Sequence, residues 1–341
     1  MSKTTRRSFL MTTTALAAGT LFPLTSFAAG ERRDVIIDTD PGQDDTIAIL
    51  FALAARDRLD VRALTAVAGN VPLELTSRNA RIIRDWAGRT QTLPVYAGCA
   101  RPLARELVTA ANVHGKTGIE GVELPEPLAP QHAVQYLIET LRAAPKRSIT
   151  LCTLGPQTNL AAALAEAPEI GEALREIVMM GGAFFERGNI TPVAEFNVYV
   201  DPEATRAVLA SGVPITVVPR DVAVKAAITP ARIAPFRALG NRCGKIVADI
   251  MTAEVAYQRA TAGVDWAPMY DPSATGYLIE PSLFKGRAVN VEVETGSALT
   301  LGETVIDWTG RTGRKPNATW ITEVDADGFY AALHRRIASL P

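Results

Sequence analysis

The chain is poor in several things, and each shortage removes a class of function. It has three cysteines, Cys99, Cys152 and Cys243, far apart and odd in number. That spacing supports neither a disulfide framework nor a zinc site. Cys152 lies in an apolar run and reads as a small core residue. Histidine is as scarce, with only His114, His132 and His334. Neither charge sign dominates, since 35 Lys and Arg face 36 Asp and Glu. No basic field is therefore offered to nucleic acid or to an anionic membrane. No Ser/Gly-rich linker, repeat or low-complexity tract divides the 341 residues. One large domain is expected over residues 29–341.

Long apolar runs are missing too. The N-terminus carries Thr5-Arg6-Arg7-Ser8-Phe9-Leu10, then a short apolar stretch interrupted by threonines, then small residues around Ala28. This is a twin-arginine export pattern with a cleavable segment, not a membrane anchor. Residues 1–28 are read as the signal, and the mature protein as periplasmic. Their loss takes Lys3, Arg6 and Arg7 and no acid, moving the formal charge from −1 to −4.

What the chain does have is an unusual concentration of carboxylates. Asp38-Thr39-Asp40-Pro41-Gly42-Gln43-Asp44-Asp45 places four acids within eight residues, with apolar chain on both sides. Two carboxylates ~4 Å apart repel by roughly 1 to 4 kcal/mol at effective dielectrics between 80 and 20. Such a cluster points to a bound cation, and an all-oxygen donor set points to a hard one, Ca²⁺ or Mg²⁺. Acids also start helices, because they satisfy free N–H groups and suit the dipole. That accounts for Asp44 or Asp45, but not for Asp38 and Asp40 at a strand end.

Short β-branched runs at 35–38, 61–66, 148–153, 177–180 and 214–218 alternate with helical patterns at 45–55, 72–87, 129–142, 159–166 and 202–210. Alternation of this kind predicts a doubly wound α/β fold, a mostly parallel sheet with helices on both faces. A helical region over 230–262, short strands near 289–293 and 319–322, and a terminal helix over 325–337 follow. The polar residues fall at the carboxyl ends of strands: Asp38 and Asp40, Asn70, the segment 154–159, and the run after Met180. In open parallel sheets ligands bind there, at a topological switch point.

Two further segments suit a polyol. Asn189, Glu195 and Asn197 lie in a long loop, where an amide and a carboxylate can grip hydroxyls; the same loop could equally be solvated surface. Asp271, ahead of Pro272 and an apolar run, is either another helix start or a late carboxylate closing a metal shell.

Taken together, these pieces resemble the inosine-uridine preferring nucleoside hydrolases. The likeness rests on the 38–45 segment with Ala48-Ile49, and on Ala68-Gly69-Asn70, Asn79-Ala80 and Val113-His114-Gly115. Leu154-Gly155-Pro156-Gln157-Thr158-Asn159, Met180-Gly181-Gly182, Gly188-Asn189, Ala194-Glu195-Phe196-Asn197-Val198 and Tyr270-Asp271 complete it. The resemblance implies a Ca²⁺-dependent hydrolase of the N-glycosidic bond of ribonucleosides, forming a dimer or tetramer. It implies metal ligation by Asp40, Asp45, Asp271 and the carbonyl of Leu154. It also implies that Asp40 acts as the base toward water, and that Asn70 orients the site. Asp44, Asn189, Glu195 and Asn197 would hold the ribose, with His114, Met180, Phe196 and Trp266 also lining the substrate, and Asp38 would position a ligand.

One position departs from the pattern. Members that cleave both inosine and uridine have a histidine before the late aspartate, where this chain has Tyr270. Tyr270 is then the candidate acid toward the leaving base, and Trp266, Tyr257 and Tyr270 could stack on a purine. Purine nucleosides are the expected substrates on this reading. Two other classes compete. One is a non-catalytic periplasmic nucleoside- or ribose-binding protein, which export also suits. The other is an aspartate-nucleophile phosphatase, whose Asp-X-Asp also ends a first strand, but whose pattern does not continue into Pro41-Gly42-Gln43-Asp44-Asp45.

Overall fold

In the computed structural model, residues 32–119 and 129–341 are described, so the expected export signal lies outside them. Nine strands form one sheet in the order β3-β2-β1-β4-β5-β6-β9-β7-β8. They are β1 (Arg33–Thr39), β2 (Leu59–Ala66), β3 (Val95–Ala97), β4 (Ile149–Thr153), β5 (Leu174–Met180), β6 (Ile215–Val218), β7 (Phe284–Val293), β8 (Thr304–Asp307) and β9 (Ala318–Val324). Strands β1 to β6 and β9 pair in parallel, whereas β7 runs antiparallel to both β9 and β8.

β1 explains the centre of the sheet. Val35 and Ile37 enter the hydrophobic core on one face, and Ile36 enters the core on the other. A strand with apolar side chains on both faces is stable only when both are covered. The covering helices include α1 (Gln43–Ala54), α2 (Leu73–Trp86), α3 (Ala111–His114), α4 (Ala133–Ala143), α5 (Thr158–Glu166), α6 (Phe196–Val200) and α7 (Pro202–Leu209). They continue with α8 (Arg220–Ala223), α9 (Pro230–Arg237), α10 (Arg242–Ala262), α11 (Asp271–Ile279) and α12 (Ala326–Ile337). None of them is long and apolar enough to cross a membrane.

Chain order reverses between β1 and β4: β2 and β3 lie to one side, β4 to β6 to the other. This is the switch point at which the crossover loops diverge and leave a crevice. α11, buried at all nine residues, packs against α1. The two helices therefore bring their N-termini, Asp44-Asp45 and Asp271, to the same place.

The expected strands and the earlier helices are present, with ends shifted by a few residues. The region 230–262 differs, because it is two helices. Gly240 has φ +73°, a left-handed conformation that ends a helix, and Asn241 accepts from Gly244 N at 2.9 Å to start the next. Both are ordinary helix-boundary chemistry. Strands β3 and β8 carry no sequence signal of their own, being three and four residues long at the sheet edges.

Candidate active site

The carboxyl end of β1 is packed with acids whose partners come from neighbouring elements. Asp38 is fully buried and accepts from Thr65 Oγ1 on β2 at 2.6 Å and from Asn159 Nδ2 on α5 at 2.8 Å. It clamps β1 to its surroundings through one oxygen, Oδ1, while Oδ2 is buried without a donor. Asp40 Oδ2 accepts from Asn70 N at 2.8 Å, and the Asp40 carbonyl accepts from Asn70 Nδ2 at 3.2 Å. Two glycines make room for that carboxylate: a Cβ on Gly69 would lie 2.0 Å from Asp40 Oδ2, and one on Gly155 would lie 2.4 Å from Oδ1. Asp45 accepts from Thr39 Oγ1 at 2.5 Å, Gly42 N at 2.9 Å and Asn70 Nδ2 at 3.1 Å. Asn70 thus holds Asp40 and Asp45 together.

Oxygen atoms of Asp44, Asp45 and Asp271 lie within 4.8 Å of one another, with Asp40 beside them. Two helix N-termini favour negative charge here, yet burial wins. It pushes the Asp44 carboxyl up to about 6. It holds Asp40 well above the usual carboxylate range, with the charge of Asp45 adding to it. Asp271 is raised in the same way, by burial and then by Asp44, Asp45 and Asp40. Asp44 Oδ1 is buried without a hydrogen-bond donor. Crowded, dry, acceptor-only oxygens with an orphan among them fit a hard divalent cation and are costly without one.

Beside the cluster lies a cavity of about 140 Å³. Asp44, Asn70, Leu154 and Asp271 border it at the acidic end, while Asp40 and Asp45 are covered behind them. Asn197 Nδ2 donates to the Leu154 carbonyl at 2.6 Å and to Met180 Sδ at 3.2 Å. Glu195 accepts from Asn197 N at 3.1 Å and Gly182 N at 3.0 Å, and burial pushes its carboxyl up to about 7. Gly182 presents that N–H from a left-handed φ of +82°. Asn189 Oδ1 accepts from Phe196 N at 2.8 Å, which pins the long loop to α6.

His114 Nδ1 accepts from Gln43 N at 3.1 Å, so its ring proton sits on Nε2. Burial pulls this histidine down to about 4, leaving it neutral at pH 7. Tyr270 also lines the cavity, and its hydroxyl accepts from Arg220 Nη1. Burial pushes that hydroxyl up to about 12, against the opposing pull of Arg220 and Asn189.

The structure therefore gathers Asn70, Asp44, His114, Leu154, Met180, Asn189, Glu195, Phe196, Asn197, Tyr270 and Asp271 around one cavity. Trp266 is a correction to the expectation, for it does not line the cavity. Neighbouring Ala267 is bridged to Ile228, through Ile228 N to Ala267 O at 2.7 Å and Ala267 N to Ile228 O at 3.1 Å. That pairing fixes the segment so that Tyr270, not Trp266, reaches the site.

Other residues carried no advance signal. Arg220, Glu254 and Gln258 reach the site from helices whose sequence looks like ordinary surface. Asp221 accepts from the backbone N–H groups of Phe184, Phe185 and Glu186 and from Trp320 Nε1. It secures the start of the loop that carries Asn189. A wider depression of about 430 Å³ lies at the amino ends of β4 to β6. It holds the Lys146–Glu172 ion pair and none of the expected site residues.

A doubly wound sheet with a buried aspartate cluster thus sets a candidate site for a hard cation beside a carboxylate- and amide-lined cavity suited to hydroxyl groups, in the crevice where such folds bind ligands. The chain belongs to the inosine-uridine preferring nucleoside hydrolase family, whose model matches residues 35–331. It is a hydrolase acting on N-glycosyl compounds, and its substrates are small nucleosides. It is 44% identical over 307 residues to the pyrimidine-specific ribonucleoside hydrolase RihA of Salmonella arizonae, covering 89% of this chain and 97% of that one. Among solved structures, a plant nucleoside hydrolase, PpNRh1, superposes with a TM-score of 0.83 at 31% identity, covering 90% and 99% of the two chains. The purine-preferring ribonucleoside hydrolase of Gardnerella vaginalis gives 0.82 at 30% identity, covering 90% and 98%.

Proposed function

We propose that this protein is a Ca²⁺-dependent ribonucleoside hydrolase that releases ribose and free base. The observation that carries the reading is the convergence of Asp44, Asp45 and Asp271, with Asp40 beside them, against the cavity. Asp40, Asp45, Asp271 and the Leu154 carbonyl are the residues we assign to the cation, which when bound would fix the ribose hydroxyls and acidify a water. Asp44, Asn189, Glu195 and Asn197 hold the sugar through hydroxyl hydrogen bonds. Asp40 takes a proton from water as the water oxygen bonds to the anomeric carbon. The bond from that carbon to the base nitrogen breaks, and its electron pair leaves with the base. The acidic wall favours the positive charge that develops on the sugar. Tyr270 supplies the proton to the departing base, while Arg220 donates to its oxygen and eases the loss.

On base preference, the higher identity to the relative named pyrimidine-specific weighs against the purine expectation. Pyrimidine ribonucleosides are therefore our first choice. Purines keep one supporting observation, Tyr257 and Tyr270 in the cavity wall, where either ring can stack on a large base. Incubation with uridine, cytidine, inosine, adenosine and guanosine, with ribose and base measured, tests both readings. Faster release from uridine and cytidine is expected. No ribose from any of them, with Ca²⁺ present and the protein folded, would leave the non-catalytic binding reading in its place.

We also propose export through residues 1–28 and assembly as a dimer or tetramer. Mass spectrometry of the periplasmic protein should find a chain that begins near residue 29, and light scattering should give a mass of at least two chains. Recovery of the full-length chain from the cytoplasm alone would overturn the export reading, and a single-chain mass would overturn the assembly.

A further inference from the structure

Three glutamates are buried among the described residues: Glu176, Glu195 and Glu254. Two of them are provided for. Glu176 meets Arg33 Nη1 at 3.1 Å, and Glu195 accepts from the backbone of Gly182 and Asn197. Glu254 is 92% buried, as its relative exposure is 8%, and among the described residues no group donates a hydrogen bond to its carboxyl, which faces the cavity. The charged group facing it is Asp44, of its own sign. A carboxyl held this far from bulk water with no protein donor is unfavourable unless something in the cavity donates to it. On the outer face of a helix of this length the same residue would cost nothing.

Its position indicates what supplies the donor. Glu254 lines the cavity together with Tyr257 and Gln258, three and four residues further along α10. Residues so spaced share one helix face, so this is a polar stripe turned toward the site. Across the mouth, Asn112 Nδ2 donates to Tyr257 Oη at 3.3 Å, tying α3 to α10. Asn189, Glu195 and Asn197, the residues assigned to ribose, approach from other elements, the loop after β5 and α6. The sugar thus has its own partners, whereas the base has a proton donor in Tyr270 and stacking rings but no acceptor assigned to its N–H groups.

Resting on the nucleoside hydrolase reading, we infer that Glu254 determines base specificity, its carboxyl oxygen accepting an N–H on the base edge remote from the glycosidic bond. The substrate class is ribonucleosides that carry such an N–H, as uridine and inosine do. Substrate entry then gives Glu254 the donor it lacks. A site built to hydrogen-bond one group rejects analogues lacking it, because its own polar group is left unpaired.

The test compares nucleosides with and without that N–H and with no added bulk: uridine against 2-pyrimidinone riboside, and inosine against purine riboside. Leaving-group chemistry differs within each pair, so the informative quantity is how the kcat/KM ratio changes between wild type and variant. Glu254→Leu removes the acceptor at similar size, and its uridine to 2-pyrimidinone riboside ratio is expected to fall about tenfold or more. The loss should appear mainly in KM, and Glu254→Gln, which keeps a carbonyl acceptor, should retain most of the ratio. Glu254→Ala carries the same comparison if the leucine variant does not fold, since truncation adds no bulk. Equal losses on both members of each pair would overturn the inference and assign Glu254 to the sugar or the carboxylate cluster. Wild-type failure on every nucleoside would overturn the parent reading as well, whereas turnover with an unmoved ratio counts against Glu254 alone.

Discussion

Asp40→Asn is expected to lower kcat/KM for nucleoside hydrolysis by about 10² to 10⁴ while the protein stays folded, the range associated with losing a positioned base. The substitution is nearly isosteric. The amide oxygen can still accept from Asn70 N, and the Gly69 and Gly155 contacts need not change. What disappears is one negative charge from a buried group whose neighbours, Asp45 and Asp44, already oppose its ionisation. A second, opposite effect follows. With a chelator present, the variant should be more stable than wild type by about 1 kcal/mol, because one repulsion is gone. Thermal melts in EDTA read this out directly. A pure binding protein would have no turnover to lose, so the kinetic arm also separates enzyme from binder. Full activity in Asp40→Asn would remove Asp40 from the chemistry.

Chelation should produce the other large change. A ligand that binds only the folded chain stabilises it by about 4 kcal/mol at a thousand times its dissociation constant. For a chain of this size that corresponds to a melting shift on the order of 10 °C. EDTA is therefore expected to abolish ribose release and lower the melting temperature together, and added Ca²⁺ to restore both. Mg²⁺ should restore less, since it demands near-ideal octahedral geometry and sheds its waters reluctantly, whereas Ca²⁺ accepts irregular oxygen shells. Unchanged activity and melting after exhaustive chelation would show that the Asp44–Asp45–Asp271 cluster is not a metal centre.

Much of the site was legible in the chain because its residues are chemically out of place. Asp38 and Asp40 interrupt an apolar strand end, and Glu195 and Asn197 are polar residues in what becomes a buried turn. Asp271 begins α11 and joins the acidic cluster in doing so, so a helix start does not exclude a place in the site. Glu254 was illegible for the opposite reason. Along α10 it sits among Thr252, Ala253, Ala256 and Arg259, an ordinary surface mixture, and only packing against the cavity buries it. Trp266 misled because closeness to Tyr270 in sequence says nothing of side-chain direction, which the Ile228–Ala267 bridge sets. The edge strands β3 and β8 are too short for a two-residue alternation to declare itself.

The carboxylates of the cluster come from a strand end at Asp40, a helix start at Asp44 and Asp45, and a second helix start at Asp271. Four-fifths of the chain must therefore be made before the last acid exists. A ribosome-bound fragment that stops short of α11 lacks both Asp271 and the helix that packs against α1. If these acids hold the proposed cation, its capture is a late event in the protein's synthesis, and a loaded ion would mark that α1 and α11 have met.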